Sequence, residues 1–491
     1  MRPSSLSRLA LAAMTAMLLA SGLAAQGLVP LQPHARTGDL ILTDSASDKL
    51  WRLQDLTLDG DYNDAGEIVP YYDDTFPGAF TLSSNNDVIV LADGRVFCCD
   101  SSTDLVLGFW DVNGDGDAQD IGEAFVFFDG TTGGNASGIV MTSALGMTAD
   151  ADGVLWLAVA DSGSGGMDMI LRLEDLNFDN DANDAGEATV YVSLPGGSVG
   201  DSIPSDVAIG PDGHVYFTDN GTAPGVKGVY RCDDINGDGD ADDPGEVSLY
   251  YQPAPQGGTA FHWGLAFAPN GTLYLTDTGN EIIWRALDGN ADFQITPGVE
   301  DGIFYQAPGS STMWRPDLAS DGSVYAVEDS SPDRIVRMRD LNNDGDALDP
   351  GEFTEVYNET LGAQSSIGAR GMSFFRGKTL VLSSNTPSIG SSFTIVISGD
   401  AGDIWSLWVS NTALPDIPVP PLGFLGISVF PPAAFLEFLS GFVPSTGDQV
   451  IPLSLPPNPG LIGLTVHLQA VVGAPLFRLA LTNAETLTFQ P

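Results

Sequence analysis

Cysteine is nearly absent: only Cys98, Cys99 and Cys232 occur in a chain of 491 residues. Three thiols cannot build the even cross-link framework of small exported domains, so stability must come from a core or from bound ions. Basic residues are also scarce, with 18 Lys and Arg against 65 Asp and Glu. The resulting formal charge of −47 excludes a nucleic-acid partner, whose phosphates would be repelled, and makes cations the natural counterpart. Four histidines, His34, His214, His262 and His467, are too scattered for a histidine-built metal centre. Long periodicities of 3.6 are lacking, and past the N-terminus no run of about 18 apolar residues predicts a membrane span. GxSxG, HExxH, P-loop and paired-cysteine metal motifs are missing as well.

What is present in quantity is glycine, 58 residues, and proline, 32, set between short apolar runs that predict an all-β protein. The N-terminus carries Arg2 and Arg8, an apolar run from Leu9 to Ala20, then Ser21, Gly22, Ala24 and Ala25. That pattern predicts a signal peptide over 1–25 and a secreted or cell-surface protein. Cys98 and Cys99 lie in a strand-like run and are expected as small core residues rather than a redox pair.

An acidic loop recurs along the chain with one internal spacing. Its copies are D55LTLDGDYNDAGE67, D111VNGDGDAQDIGE123, D175LNFDNDANDAGE187, D234INGDGDADDPGE246 and D340LNNDGDALDPGE352, with a degenerate sixth, D288GNADFQITPGVE300. Together they hold 29 of the 65 acidic residues, a concentration that chance turns would not produce. Each is preceded by a strand-like run (KLWRL, MILRL, GVYRC) and followed by another (IVPYY, TVYV, SLYY). Upstream, two more runs flank an Asp-Gly or Asn-Gly turn that suggests a two-residue hairpin. The unit is therefore a four-stranded antiparallel meander, as in a propeller blade.

The second strand of the unit is expected near Asp39, Arg95, Val154, His214, Thr272, Ser323 and Lys378. That count yields seven units, but the first lacks its own inner strand, which GMSFF (371–375) could supply by closing the ring. The expectation is a six- or seven-bladed propeller over 37–409. After about Asn411 the composition turns apolar and Pro-rich, predicting a small C-terminal β-sandwich-like domain over 411–491.

GLAFAPNGTLYLTD (264–277) and DVAIGPDGHVYFTD (206–219) resemble the blades of NHL-repeat and gluconolactonase-like propellers. The acidic loops resemble EF-hand loops and the calcium loops of integrin α-chain propellers, although their Glu stands at the thirteenth position and no helix flanks them. Calcium takes six to eight hard oxygens, which alternating carboxylates and amides around a glycine can supply. The expected ligands are Asp55, Asp59, Asp61, Asp64 and Glu67; Asp111, Asn113, Asp115, Asp117, Asp120 and Glu123; and Asp175, Asn177, Asp179, Asp181, Asp184 and Glu187. Asp234, Asn236, Asp238, Asp240, Asp243 and Glu246, with Asp340, Asn342, Asp344, Asp346, Asp349 and Glu352, complete the set, for about five ions in all. The degenerate copy, with Phe293, Gln294 and Pro297 in place of consensus residues, is expected to bind weakly or not at all.

All the loops fall between third and fourth strands and so ring one face, leaving the other for a protein or carbohydrate ligand. Its candidates are Asp206, His262, Trp263, Trp314, Arg315 and Arg370 at the channel mouth. The second-strand ends, Asp44, Asp100, Asp161, Asp219, Asp277 and Asp329, also face that way. The expected function is a calcium-stiffened binding or scaffold protein. The alternative, implied by the gluconolactonase-like resemblance, is a metal-dependent lactonase-like hydrolase, with Asp206, His262 and Asp317 as its channel candidates, or another sugar-active propeller enzyme.

Overall fold

The computed structural model describes residues 39–490, apart from 56–58, 92–93, 112–115, 151–152, 161–167, 178, 195–201, 222–226, 254–259, 309–310, 320–321, 330–331, 362–367, 376–379, 383–387 and further short stretches beyond 389. The signal-peptide assignment over 1–25 lies outside the described residues, as do Asn113, Asp115 and Asp161.

The chain is a β-propeller. Its first strands are β1 (Leu40–Asp44), β2 (Lys49–Leu53) and β3 (Ile68–Asp73). A second sheet follows with β4 (Asn85–Val90), β5 (Val96–Asp100), β6 (Leu105–Phe109) and β7 (Ala124–Asp129). The third holds β8 (Ala144–Ala149), β9 (Leu155–Val159), β10 (Asp168–Leu173) and β11 (Ala188–Leu194). In the fourth are β12 (Pro204–Ile209), β13 (Val215–Asp219), β14 (Gly228–Cys232) and β15 (Val247–Tyr251). The fifth comprises β16 (His262–Phe267), β17 (Leu273–Asp277), β18 (Ile282–Ala286) and β19 (Asp301–Gln306). The sixth comprises β20 (Thr312–Leu318), β21 (Val324–Asp329), β22 (Arg334–Met338) and β23 (Phe353–Asn358), and β24 (Ala369–Phe374) comes next.

Strand β24 pairs antiparallel with β1, so the first sheet has the order β24-β1-β2-β3 and is closed by the far end of the propeller chain. Among the described residues six four-stranded sheets result, and the inner strands β4, β8, β12, β16, β20 and β24 pack each against the next around a closed ring. The six observed second strands begin within one residue of the positions expected from the repeat. The seventh counted unit, near Lys378, is not a blade. Its strand β25 (Leu380–Leu382) pairs with β26 (Ser392–Ser398), which in turn pairs with β31 (Asp448–Ser454). Strand β27 (Ile404–Ser410) joins β30 (Phe435–Phe442) and β32 (Thr465–Ala474), so the blades end at β24 and residues up to 409 counted with them pair with the C-terminal segment. The apolar residues Ile395, Trp405, Leu407, Ile451, Leu468 and Val472 of these two sheets share one core.

The other cores lie between neighbouring blades. Phe97, Cys99 and Phe127 of the second sheet pack with Met147, Leu157 and Leu171 of the third. Cys98 points the opposite way, into the core shared with the first sheet, because successive strand residues face opposite sides. Both thiols are fully buried, and burial pushes their pKa well up, as expected of packing residues.

The turns between first and second strands are one residue longer than the expected two-residue hairpins. In the fourth blade Gly213 N–H donates to Gly210 O (2.9 Å) while Gly210 N–H donates to His214 O (2.9 Å), and Gly213 sits at φ +83°. This is a tight turn followed by a glycine bulge, which also suits the twist of a hairpin.

Candidate functional site

Over their described residues, the acidic loops of the six blades keep one backbone course. In the fourth, Asp234 accepts the N–H groups of Asp238 (3.2 Å) and Gly239 (3.0 Å), and Asp240 accepts that of Asp242 (3.0 Å). The sixth loop position lies in the left-handed region throughout: Gly60, Gly116, Gly239 and Gly345 at φ +95° to +105°, but also Asn180 at +73° and Phe293 at +63°. The degenerate copy therefore retains the fold of the loop without its glycine.

The thirteenth-position glutamates Glu67, Glu123, Glu187, Glu246 and Glu352 are all buried. Glu246 accepts N–H groups from Ile235 (3.0 Å) and Asn236 (3.3 Å) on one oxygen and from Asp243 (3.1 Å) on the other. It thus ties the start of the loop to its end. The tenth-position aspartates instead turn inward: the Asn342 amide donates to both Asp344 (3.0 Å) and Asp349 (2.7 Å), and the Asn177 amide to Asp179 (3.0 Å) and Asp184 (2.8 Å). Positions three, five and ten thus converge on one point. Ligand oxygens of Asp344, Asp346 and Glu352 lie within 4.8 Å of one another, the one such set among the described residues. A hard oxygen-preferring cation fits this donor set, and the buried glutamate is already oriented towards it.

The central channel is organised differently. Around one level of the ring the inner strands present Asp87, Gly146, Asp206, Gly264, Arg315 and Gly371, an alternation of charge and glycine. Arg315 binds Asp87 and the carbonyl of Met147, and its Nε lies 3.3 Å from Asp206 Oδ2. Asp87 and Asp206 each also accept an N–H from the next inner strand, Met147 (2.8 Å) and Leu265 (2.9 Å). Asp317 repeats this one level along, accepting Leu318 N–H (2.8 Å) and Phe374 N–H (3.1 Å). The glycines are required by close approach: a Cβ on Gly146 would stand 2.4 Å from Asp206 Oδ1. Burial raises the Asp206 carboxyl to about 7 against the opposing pull of Arg315. Beside this ion-pair knot lies a cavity of about 210 Å³ lined by all six inner strands.

The expected metal triad is not assembled. Asp206 is engaged by Arg315, Asp317 by backbone N–H groups, and His262 lies on β16 with its Nε2 4.0 Å from Asp277 Oδ2. Burial lowers the His262 pKa to about 4, so the ring is neutral, and neither ring nitrogen has a hydrogen-bond partner among the described residues. The second-strand aspartates act as turn caps. Asp44 accepts N–H groups from Ala46 and Gly368, Asp100 from Ser83, Ser84, Ser102 and Thr103, and Asp219 from Ile203 and Gly221. Asp277 accepts from Phe261 and Asp329 from the Trp314 indole.

Three mouth candidates do meet. Trp263 and Trp314 pack edge to face at 4.8 Å, and the Arg370 guanidinium lies over the Trp314 ring at 5.5 Å while donating to Asn86 (2.7 Å). Sequence reasoning missed Asp87, Asn86 and Phe261, which stacks on Trp263 at 5.6 Å under the Lys227 ammonium. Alignment of NNDVIV, ALGMTA, PSDVAI and HWGLAF would have exposed the Asp-Gly alternation.

No family model and no curated protein matches the chain. Solved structures do. A putative 6-phosphogluconolactonase from Bacteroides fragilis is 14% identical, covering 74% of this chain and 90% of its own, with a TM-score of 0.42. A streptogramin B lyase is 15% identical, covering 72% and 89%, with a TM-score of 0.40. A putative gluconolactonase is 17% identical, covering 66% and 90%, with a TM-score of 0.37.

Proposed function

We propose that this chain is an exported calcium-binding propeller whose rim loops are stiffened by about five ions and whose opposite face binds a protein or carbohydrate partner. The observation that carries the reading is the shared course of the acidic loops, with carboxylates and an amide directed at one point and a buried glutamate closing each loop. So much like charge on a short loop opposes a compact turn unless a cation offsets it. Asp55, Asp111, Asp175, Asp234 and Asp340 begin the five loops that would hold an ion. The mouth built from Phe261, Trp263, Trp314 and Arg370 supplies partly exposed aromatic faces for the partner.

The lactonase-like hydrolase reading gains no support from the channel, where Arg315 and backbone N–H groups already engage the carboxylates it needs. Isothermal calorimetry of the metal-stripped mature chain tests the proposal: about five calcium ions are expected, and fewer than two would reduce the loops to acidic turns. A lactone and ester hydrolysis screen on the same material is expected to give no turnover.

A further inference from the structure

The eighth position of each rim loop is apolar within an otherwise charged stretch: Tyr62, Ala118, Ala182, Ala241, Ile295 and Ala347. All six are buried, Tyr62 at 6% exposure and the others at 2% or less. Each donates its backbone N–H to an outer-strand carbonyl of the preceding blade. The pairs are Tyr62 to Val356 (2.8 Å), Ala118 to Tyr71 (2.8 Å), Ala182 to Phe127 (2.7 Å), Ala241 to Tyr191 (2.7 Å), Ile295 to Tyr250 (2.8 Å) and Ala347 to Phe304 (2.8 Å). The side chains enter the same inter-blade cores, Ala241 beside Tyr191 and Ile295 beside Tyr250, for example. The rim loops are therefore the latches that join neighbouring blades at their outer edge.

Five of these latches are flanked by at least five acidic groups on a 13-residue loop. Their repulsion acts on the segment that presents the eighth residue, so a cation that offsets it also holds the latch shut. The loop of the fifth blade differs. It has only Asp288, Asp292 and Glu300, yet keeps the same course, with Asp288 accepting Phe293 N–H (2.8 Å) and Glu300 accepting Thr296 N–H (2.9 Å). Its anchor is the larger Ile295, and Arg231 of the preceding blade lies over the Phe293 ring at 4.6 Å. Apolar burial and a cation–π contact stand where the other loops have charge.

We propose that calcium governs the seams between blades: loaded loops in blades one, two, three, four and six dock each onto the blade before it, whereas blade five is latched to blade four without an ion. This rests on the calcium reading of the loops given above.

Amide hydrogen exchange of the mature chain, with calcium and with excess chelator, tests it. Protection at Tyr62, Ala118, Ala182, Ala241 and Ala347 is expected to fall at least about tenfold on chelation, and that at Ile295 by less than about twofold. A uniform response of all six amides to chelation while the chain stays folded, or no response while calorimetry registers bound ions, would overturn the seam proposal and leave the calcium reading standing. Absence of any bound ion would overturn both. Because chelation could unfold the whole ring, a double variant, Asp238→Asn with Asp243→Asn, is measured in calcium. It is expected to expose Ala241 alone; continued protection of Ala241, or loss spread over every seam, refutes the proposal.

Discussion

At the scale of single residues, the channel shows how a scarce charge is used. Arg315 stands between two buried carboxyl groups, Asp87 and Asp206, contributed by other blades, and is the cation paired with both. Replacing it by methionine keeps much of the volume but leaves both carboxylates without their cation, which costs about 3–5 kcal/mol where a buried pair is broken. Denaturant unfolding of Arg315→Met should show that loss at pH 7.5 and a smaller one at pH 5, where Asp206 more readily takes a proton. An equal loss at both values would contradict the assignment. Arg315 was visible in the sequence as a mouth residue, but its partner Asp87 stands 228 residues away, a distance no local pattern bridges. His262 carries a second test. Its folded pKa of about 4 lies below the ordinary 6.5, so the unfolded chain binds the extra proton. The neutral ring's contribution is complete above about pH 6.5 and is lost as pH falls towards 4. His262→Gln should therefore flatten the stability profile across that window relative to the parent chain; an unchanged difference between the two would show that the histidine does not titrate there.

At the scale of elements, what was legible followed from repetition. The six second strands and the loops were readable because each recurs with the same residue types at the same offsets, as LILTD and DLTLDGDYNDAGE do in the first blade. The turns came out one residue longer because Asp-Gly also suits a bulged hairpin, a choice fixed by twist rather than by the dipeptide. The inner strands hid their chemistry, since Asp87, Gly146, Asp206 and Gly264 acquire meaning only when strands from different blades stand side by side. Gly146→Ala tests that packing: its Cβ would collide with Asp206, and a loss of about 2–3 kcal/mol in thermal or urea unfolding is expected. An unaffected variant would mean that the strands can spread. The loops offer a paired comparison. Asp238→Ala should remove one ion and lower the melting temperature, while Asp292→Ala, in the loop with only three acids, should do neither.

At the scale of the whole molecule, the ring is closed twice, by β24 pairing with β1 at the centre and by the Tyr62 latch onto Val356 at the rim. Six blades rather than seven follow from the first closure, because the strand after β24 finds its partners in the C-terminal sheets. The sequence pattern at Lys378 looks like another second strand, and only the pairing distinguishes them. The chain carries a formal charge of −47, with 29 of its 65 acidic residues in the rim loops, so the rim is under outward electrostatic pressure, and five divalent ions would offset roughly ten of those charges. On the proposed calcium reading, in which the folded loops bind the ion and the unfolded chain does so far less, each site would add RT ln(1 + [Ca]/Kd), about 2.7 kcal/mol at a hundredfold excess over Kd. Two or three such sites match a large share of the roughly 5–15 kcal/mol by which a domain is ordinarily stable. Thermal unfolding should accordingly rise steeply with calcium, and sodium at equal ionic strength should not reproduce the rise, since screening alone offsets exposed charge without bridging a loop. Coincident melting curves in calcium and in chelator would mean that the latches hold by apolar burial in every blade, as they do in the fifth.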